Sequence, residues 1–203
     1  MHAITVVVTN FNYAPYLSRC LRSLIDQSLS KDAYEIILVD DNSNDDSRQI
    51  MDLFKEEVKI IQLEKNYGLS YCANVGIKNC RSRYFVRVDA DDWVHKHFLE
   101  TFLIGFELMG EMFEAISCDY INVNQIGEFI SYGNQKFDPI ACAIAFKTDI
   151  FEKLGYYDEN LRINEEIDFM KRFLKADLNI FNVSLPLYRY VKHDKSLTGK
   201  TLI

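Results

Sequence analysis

Four short apolar runs, each closed by a polar loop, alternate with helical patterns through the first 92 residues. The predicted strands are residues 4–9, 35–39, 58–63 and 84–88. Strands that alternate with helices predict an α/β fold in which a mostly parallel sheet carries helices on both faces. Ligands bind such sheets outside the carboxyl ends of the strands. The loops after the first, second and fourth strands are therefore predicted to meet at one edge.

The second half of the chain is less regular and predicts a smaller, mixed lobe. We expect helices over residues 95–109, 148–154 and 165–176, with Thr148 capping the second and Gly155 ending it. Extended segments are predicted at residues 115–123, 128–132, 141–146 and 179–190. We find no internal repeat and no linker composition. Residues 1–203 are therefore predicted to form a single domain with two lobes, 1–92 and 93–203.

Charge and cysteine content exclude several classes of protein. The sequence has 23 Lys plus Arg against 30 Asp plus Glu, a net charge of −7, which disfavours nucleic acid as a partner. Its five cysteines form no Cys-x-x-Cys pair, so neither a disulfide framework nor a zinc knuckle is expected. Neither a signal peptide nor an apolar run long enough to span a membrane is recognisable. We expect a cytoplasmic protein without a transmembrane segment.

The sharpest motif is the acidic turn Asp89-Ala90-Asp91-Asp92 directly after the fourth predicted strand. Carboxylates crowded together repel one another unless a cation joins them. Mg²⁺ typically takes one or two protein carboxylates and completes its shell with substrate phosphates and water. The turn therefore predicts a divalent metal site, the alternative being a solvated turn that caps the following helix.

Two further loops lie at the same predicted edge. Asp40 and Asp41 follow the second strand, where a carboxylate accepts a hydrogen bond from a base N–H or a ribose hydroxyl; helix capping is the alternative. Asn66 precedes Gly68, which permits an unusual backbone turn into the next helix. Asn74 then falls on that helix, where small neighbouring residues allow a ligand or a strand to approach closely.

Acidic residues open the last predicted helix. Glu165, Glu166 and Asp168 are either favoured there by the helix dipole or include a general base near the metal site. His193 follows the final extended segment among basic residues. It is either a ligand of a metal or diphosphate or simply part of a polar tail.

These motifs, in this order, resemble glycosyltransferase family 2, the inverting family with the GT-A fold. The matching stretches are Val6–Asn12, Val39–Ser43, Asn66–Gly68, Ala73–Gly76, Arg87–Asp92, Gly155–Glu159 and Glu165–Asp168. The likeness extends over nearly the whole chain. It implies a GT-A type, Rossmann-like domain in which residues 1–92 bind the nucleotide and residues 93–203 bind the acceptor.

The resemblance also implies a role for each matching residue. Asp91 would ligate Mn²⁺ or Mg²⁺, with Asp89 and His193 as further ligands. Glu166 would be the catalytic base, at a position where the family commonly has Asp. The residues implied at the nucleotide-sugar site are Thr9, Phe11, Asp40, Asp41, Asn66, Asn74, Arg87, Asp89 and Asp92. Among them, Asp41 would accept the base N–H.

The implied reaction is transfer of a sugar, with inversion, from a nucleotide sugar to an acceptor hydroxyl. A UDP-sugar is the expected donor, with GDP- and dTDP-sugars as alternatives. The expected acceptor is a carbohydrate or a lipid-linked molecule in surface polysaccharide synthesis. With such an acceptor, we expect the protein to make peripheral contact with the inner face of the membrane.

Three other interpretations remain open from the sequence. A nucleotidyltransferase would also join an acidic cluster to a metal, but it would be expected to carry glycine and basic residues in the loop at Asn10–Tyr13. A phospho-receiver domain has paired acids after a strand, but it is much shorter. A catalytically inactive nucleotide-sugar-binding protein would have the same motifs.

Overall fold

The computed structural model describes residues 2–161 and 164–194. Within these residues the chain forms nine strands. The strands are β1 (Ile4–Asn10), β2 (Tyr34–Asp40), β3 (Lys59–Gln62), β4 (Tyr84–Asp89), β5 (Trp93–Val94), β6 (Ala115–Val123), β7 (Phe129–Gly133), β8 (Ile144–Lys147) and β9 (Ile180–Val191).

The α-helices alternate with these strands. They are α1 (Ala14–Ile25), α2 (Ser47–Leu53), α3 (Leu69–Asn79), α4 (Phe98–Met109), α5 (Ile150–Leu154) and α6 (Glu165–Lys175). Local sequence explains where several of them begin and end. Pro15 lies at the start of α1, where its missing N–H costs nothing. Gly68 precedes α3 with a φ of 95°, and Gly155 ends α5 with a φ of 83°.

All nine strands of the described chain lie in one sheet, in the order β3-β2-β1-β4-β8-β6-β9-β5, with β7 on β6. The strands β3, β2, β1 and β4 are parallel, as the strand–helix alternation predicts. Beyond β4 the sheet is mixed, because β8 runs antiparallel to β4 and to β6. The α/β class, the parallel first half and the mixed second half are confirmed.

The sequence predictions differ from the structure mainly in the second half. The strand predicted at residues 141–146 begins only at Ile144, since Ala143 has a φ of 63° and breaks the extended backbone. The predicted cap at Thr148 is wrong: Asp149 is the N-cap residue of α5, and the Thr148 hydroxyl has no hydrogen-bond partner. The two-residue strand β5 was not predicted, since Trp93 and Val94 extend only by pairing with β9.

Two apolar layers cover the two faces of the sheet. On one face α1 and α4 pack against alternate residues of β1, β4 and β6, with Leu17, Leu21 and Phe102 fully buried. On the other face α3, α5 and α6 enclose a second cluster that includes Val7, Phe85 and Phe169. Along β1 and β4 neighbouring residues therefore face opposite layers, as expected for strands buried on both sides.

None of the helices in residues 2–161 and 164–194 is both long and apolar enough to cross a bilayer.

The closest approach of a helix to the sheet is at Gly76, and it predicts a specific cost. A Cβ at this position would lie 2.2 Å from Cγ1 of Val7 in β1. We expect Gly76→Ala to lower the free energy of unfolding by about 1–3 kcal/mol, because overpacking moves α3 or Val7. Chemical denaturation monitored by circular dichroism measures this change.

Gly105→Ala is the matched control, since it is also a helical glycine that faces the sheet. Its Cβ would lie 3.1 Å from Cγ2 of Ile116, a contact that a shift of a few tenths of an ångström relieves, against 2.2 Å at Gly76. Alanine is the better helix former by about 1 kcal/mol, so this variant should be neutral or more stable. Equal destabilisation of both variants would contradict the close packing at Gly76.

Candidate functional site

The register of the parallel strands brings three polar loops to one edge of the sheet. Asn10 at the end of β1 pairs with Asp40 at the end of β2. Thr9, one residue earlier, pairs with Asp89 at the end of β4. The Thr9 hydroxyl donates a hydrogen bond of 3.3 Å to Oδ1 of Asp89. The edge predicted from the sequence therefore exists, and it includes Thr9, Asp40 and Asp89.

Asp40 is buried and holds the loops after β1 and β2 together. Its Oδ1 accepts hydrogen bonds of 2.6 Å from both Asn10 Nδ2 and the Ser43 hydroxyl, and its Oδ2 accepts the Ser43 N–H at 3.0 Å. Ser43 in turn accepts the backbone N–H of Asn12. Asn10, the last residue of β1, and Ser43, in the loop after β2, are not among the predicted site residues, although both are polar residues at the predicted edge.

Asp41 uses both carboxylate oxygens on the turn that precedes α3. Oδ1 accepts the Tyr67 N–H at 2.7 Å and Oδ2 accepts the Gly68 N–H at 2.8 Å. The side chain is 3% exposed. Asp41 therefore fixes the turn beside Asn66, whose own side chain is exposed.

Asp91 and His193 come together although they are 102 positions apart in the chain. His193 Nε2 lies 2.8 Å from Oδ2 of Asp91, and the imidazole stacks on Tyr16 at 4.9 Å between ring centroids. The His193 side chain is 1% exposed and that of Asp91 is 12% exposed. His193 is thus part of the site edge rather than of a solvated tail.

Asp92 has a structural role that explains this contact. Its Oδ2 accepts the Tyr188 hydroxyl at 2.6 Å and its Oδ1 accepts the Val191 N–H at 2.8 Å. Both donors belong to β9, so the carboxylate fixes the end of that strand two residues before His193. Burial, and then the charges of Asp91 and Asp89, raise the pKa of Asp92 well above its usual range.

Negative charge is concentrated around this edge. Burial, and after it the carboxylates of Asp91, Asp89 and Asp92, raise the pKa of the Tyr13 hydroxyl. The guanidinium of Arg87, with Nε 3.2 Å from Oδ1 of Asp89, is the nearest cation in an ion pair with that carboxylate. Asp89, Asp91 and Asp92 all act on Tyr13, and carboxylates this close to one another favour a bound cation.

The residue types at this edge are compatible with a divalent cation. Asp91 would supply carboxylate oxygens and His193 an imidazole nitrogen, and Asp89 is a partly exposed carboxylate nearby. The described residues contain no group of three or more His, Cys, Asp or Glu side chains arranged around one metal position. Such a protein contribution matches ions that take one or two carboxylates and complete their shell with phosphate oxygens and water.

Arg87 also connects the acidic turn to the start of α6. Its Nη1 donates a hydrogen bond of 2.9 Å to Oε1 of Glu165, and both side chains are almost fully buried. Glu166 is the next residue of α6 and is only partly buried. Burial, and then the negative charge of Glu165, raise the pKa of Glu166 above its ordinary value. A carboxyl group with a raised pKa is suited to accept a proton near neutral pH.

The nucleotide-contact residues implied by the sequence divide into two groups. Phe11 and Asn66 are exposed at the edge, 42% in the case of Phe11, and are open to a ligand. The other group is buried and hydrogen-bonded to protein: Thr9, Asp40, Asp41, Asn74, Arg87 and Asp92. Asp89 is partly exposed and belongs to neither group. The buried residues already hold other parts of the protein. Sequence motifs could not predict these structural roles, because the hydrogen-bond donors lie in distant segments, on β9 and in the 67–68 turn.

The family of the chain follows from its match to a family model. The model described as glycosyl transferase family 2 matches residues 5–155. This chain belongs to glycosyl transferase family 2. The GT-A expectation is confirmed by the structural likeness below, and the receiver-domain and nucleotidyltransferase interpretations receive no support.

Two bacterial glycosyltransferases are similar to about half of this chain. The glycosyltransferase GlyA of Streptococcus pneumoniae is 39% identical over 100 residues, which cover 48% of this chain and 14% of GlyA. The poly(ribitol-phosphate) β-N-acetylglucosaminyltransferase TarS of Staphylococcus aureus is 32% identical over 103 residues, 49% of this chain and 18% of TarS. The matched region is thus a small part of each relative.

Solved structures of glycosyltransferases share the fold over almost the entire chain. TarS residues 1–349 in complex with UDP-GlcNAc superpose with a TM-score of 0.82 at 21% identity, covering 99% of this chain and 62% of TarS 1–349. The mannosyltransferase PcManGT of Pyrobaculum calidifontis, in complex with GDP-Man and Mn²⁺, gives 0.76 at 16% identity, covering 95% and 58%. At these identities the likeness establishes the fold alone.

The contacts of Asp41 predict a loss of stability on its removal. Asp41→Ala leaves the Tyr67 and Gly68 N–H groups without their acceptor, so the free energy of unfolding should fall by about 1–3 kcal/mol. Asp46→Ala in the same loop is the control, because Asp46 is exposed and its side chain does not cap α2. Urea denaturation of both variants is the measurement. Unchanged stability of Asp41→Ala would show that the turn does not depend on this carboxylate.

Proposed function

We propose that this family 2 protein is a metal-dependent, inverting glycosyltransferase that moves a sugar from a nucleotide sugar to an acceptor hydroxyl. The observation that carries the proposal is the double contact of Arg87, which joins Asp89 of the acidic turn to Glu165 beside Glu166. A cation-binding edge and a candidate general base are thereby parts of one site. Residues 1–92 then supply most of the donor site, and the following lobe supplies the base and the acceptor side.

The proposed donor is a UDP-sugar. TarS, which shares the fold, is solved with UDP-GlcNAc, while PcManGT is solved with GDP-Man. Phe11 and Asn66 are the exposed side chains that we assign to the nucleoside. Thr9, Asp40, Asp41, Arg87 and Asp92 are assigned to the same donor site, mainly as the residues that fix its loops. Asn74 is not assigned to donor contact, because its side chain is bonded to Tyr157 and Glu159.

Asp91 and His193, with Asp89 beside them, are proposed to hold Mn²⁺ or Mg²⁺ together with the diphosphate of the donor. Such an ion, when bound, neutralises the charge that develops on the diphosphate leaving group. The protein contributes the fixed orientation of Asp91 and His193, since Asp92 holds the end of β9 against the acidic turn. The described residues leave other positions around an ion to the substrate and water.

Glu166 is proposed to take the proton from the acceptor hydroxyl as the oxygen attacks the anomeric carbon. The new bond forms on the face opposite the departing diphosphate, so a single displacement inverts that carbon. Glu166 suits this role because it lies in the first turn of α6, partly buried, next to the carboxylate that Arg87 anchors. Glu in place of the more common Asp extends the base by one methylene group.

The proposed acceptor is a carbohydrate or lipid-linked precursor of a surface polymer. TarS carries poly(ribitol-phosphate) in its name, which supports a cell-surface acceptor for a related chain. The cytoplasmic location, with peripheral contact at the inner membrane face, stays a prediction.

Metal-dependent nucleotide binding is the first test. UDP should raise the melting temperature of the protein clearly more with Mn²⁺ than with a chelator, because the diphosphate and the protein share the ion. Asp91→Asn should remove most of this difference. Differential scanning fluorimetry with UDP, GDP and dTDP measures it and ranks the bases.

Asp194→Asn is the control for Asp91→Asn, since Asp194 is an exposed acid next to His193. If every nucleotide raises the melting temperature equally with Mn²⁺ and with chelator, Asp91 does not bind a metal together with the nucleotide. Binding without any turnover would instead indicate an inactive nucleotide-sugar-binding protein.

Loss of the base is the second test. Glu166→Gln keeps the size of the side chain and removes its basicity, so transfer should fall by about 10²–10⁴-fold. The affinity for UDP with Mn²⁺ should stay within a few-fold, since the residues assigned to the metal and to the nucleoside of UDP are unchanged. Asp168→Asn is the control, because Asp168 forms its ion pair with Arg172 instead. Transfer that survives in Glu166→Gln but not in the control would place the base at another carboxylate.

The pH dependence of transfer follows from the environment of Glu166. A general base works only when deprotonated, and burial and Glu165 raise the pKa of Glu166. The rate should therefore rise with pH through a value above the ordinary pKa of glutamate. Glu165→Gln removes the neighbouring negative charge, so the acid limb of the rate profile should move to lower pH. If the acid limb moves to higher pH or does not move, Glu166 is not the group whose titration controls the rate.

A further inference from the structure

Asn74, on the buried side of α3, makes all of its side-chain hydrogen bonds to the segment that leads into α6. Its Nδ2 donates to the Tyr157 carbonyl at 2.8 Å and to Oε1 of Glu159 at 2.9 Å. Its Oδ1 accepts the Tyr157 N–H at 3.0 Å. The residue is 1% exposed and lies 83 positions from Tyr157 in the sequence.

These bonds use nearly the full capacity of the amide group. A carboxamide has two N–H donors and one oxygen with two lone pairs. Both donors of Asn74 and one lone pair are directed at Tyr157 and Glu159. A donor sugar or nucleotide could receive a hydrogen bond from Asn74 only if one of these bonds were broken.

The segment 157–161 belongs to no helix or strand, so it depends on such contacts. Its backbone makes a turn hydrogen bond from the Leu161 N–H to the Asp158 carbonyl. Ser70, one helical turn before Asn74, donates from its hydroxyl to the Leu161 carbonyl at 2.6 Å. Asn74 and Ser70 therefore hold both ends of the segment against α3, and Glu165 and Glu166 follow a few residues later.

The helix that holds this segment is itself fixed to the nucleotide edge. Asp41 accepts the N–H groups of Tyr67 and Gly68 directly before α3 begins. Gly76 brings α3 against Val7 of β1, too close for a Cβ. The path from Asp41 through α3 to Tyr157 is thus continuous and consists of buried hydrogen bonds and close packing.

We propose that Asn74 is a positioning residue: it ties the segment 157–161 to α3 and thereby sets where Glu166 stands relative to the donor edge. The inference rests on the proposed function for the role of Glu166, and it assigns Asn74 away from direct donor contact. Arg87 fixes Glu165 from the sheet, whereas Asn74 fixes the segment before α6 from α3. A displacement of about 1 Å at a reacting group is enough to lower a rate by about 10²-fold.

The experiment compares Asn74→Leu with Asn79→Leu. Leucine keeps the branching of the Asn74 side chain and removes all three hydrogen bonds. Asn79 lies on the same helix and is the matched control: its Nδ2 donates to the Val75 carbonyl and its Oδ1 accepts Lys59 Nζ, so neither bond reaches residues 157–161. Hydrogen exchange read by mass spectrometry should show faster exchange over residues 157–161 in Asn74→Leu and not in Asn79→Leu.

A second measurement reports on Glu166 itself. The carboxyl carbon of Glu166, assigned by its loss in Glu166→Gln, is titrated by ¹³C NMR in each variant. Loosening of the segment should hydrate Glu166, and its pKa should fall towards the ordinary value, because burial is the main cause of the elevation. Affinity for UDP with Mn²⁺ should remain within about twofold, and kcat for hydrolysis of UDP-GlcNAc should fall at least tenfold with little change in KM.

Two results would overturn the proposal. One is unchanged exchange over residues 157–161 in a folded Asn74→Leu protein. The other is a loss of UDP affinity of tenfold or more with an unchanged Glu166 titration, which would make Asn74 a donor contact. Where Asn74→Leu does not fold, Asn74→Asp replaces it, since Asp keeps the acceptor for the Tyr157 N–H and loses both donors. Absence of UDP binding and hydrolysis in the wild-type protein would contradict the proposed function alone, because exchange and titration still report on the position of Glu166.

Discussion

The pairing of β1 with its two neighbours is the constraint on which the site depends. Register places Asn10 beside Asp40 and Thr9 beside Asp89, so that loops far apart in sequence end at one edge. A shift by one residue would turn these side chains to the opposite faces of the sheet, because successive side chains of a strand alternate. The full burial of Val6, Val7 and Val8 opposes such a shift from both faces.

The second constraint is that several buried carboxylates lie close together, and the fold gives each of them a different set of partners. Asp40 and Asp41 are stabilised by hydrogen bonds from amides and a hydroxyl, whereas Asp92 accepts the Tyr188 hydroxyl and the Val191 N–H. The buried guanidinium of Arg87 is shared by Glu165 and Asp89. Asp89 and Asp91 are the most exposed carboxylates of the set, and they are the ones that face a substrate in the proposed reaction.

Sequence reasoning predicted the parts that are encoded locally. Strand–helix alternation and apolar periodicity located β1, β2, β4 and α3, and polar residues after buried strands located the site edge. It could not predict contacts between distant segments. Nothing near Asp41 signals that its oxygens bind the 67–68 turn, and β5 forms only because β9 pairs with it. The same limit explains Asn74, whose side chain resembles a donor contact until its partners at Tyr157 and Glu159 are known.

The hydrogen bonds by which Asp92 holds the end of β9 have a consequence for the order in which the protein folds. Its hydrogen bond to the Val191 N–H spans 99 residues, and the contact of His193 with Asp91 spans 102. Contacts of such long range carry a large loop-closure entropy and are expected to form after the local strand–helix units of the first half. A refolding chain would therefore pair β1 with β2, whose facing residues are 30 positions apart, before it gains the imidazole beside the acidic turn. The secondary structure of the first half would then form earlier than the arrangement of Asp91 and His193 that the proposed metal-dependent step requires.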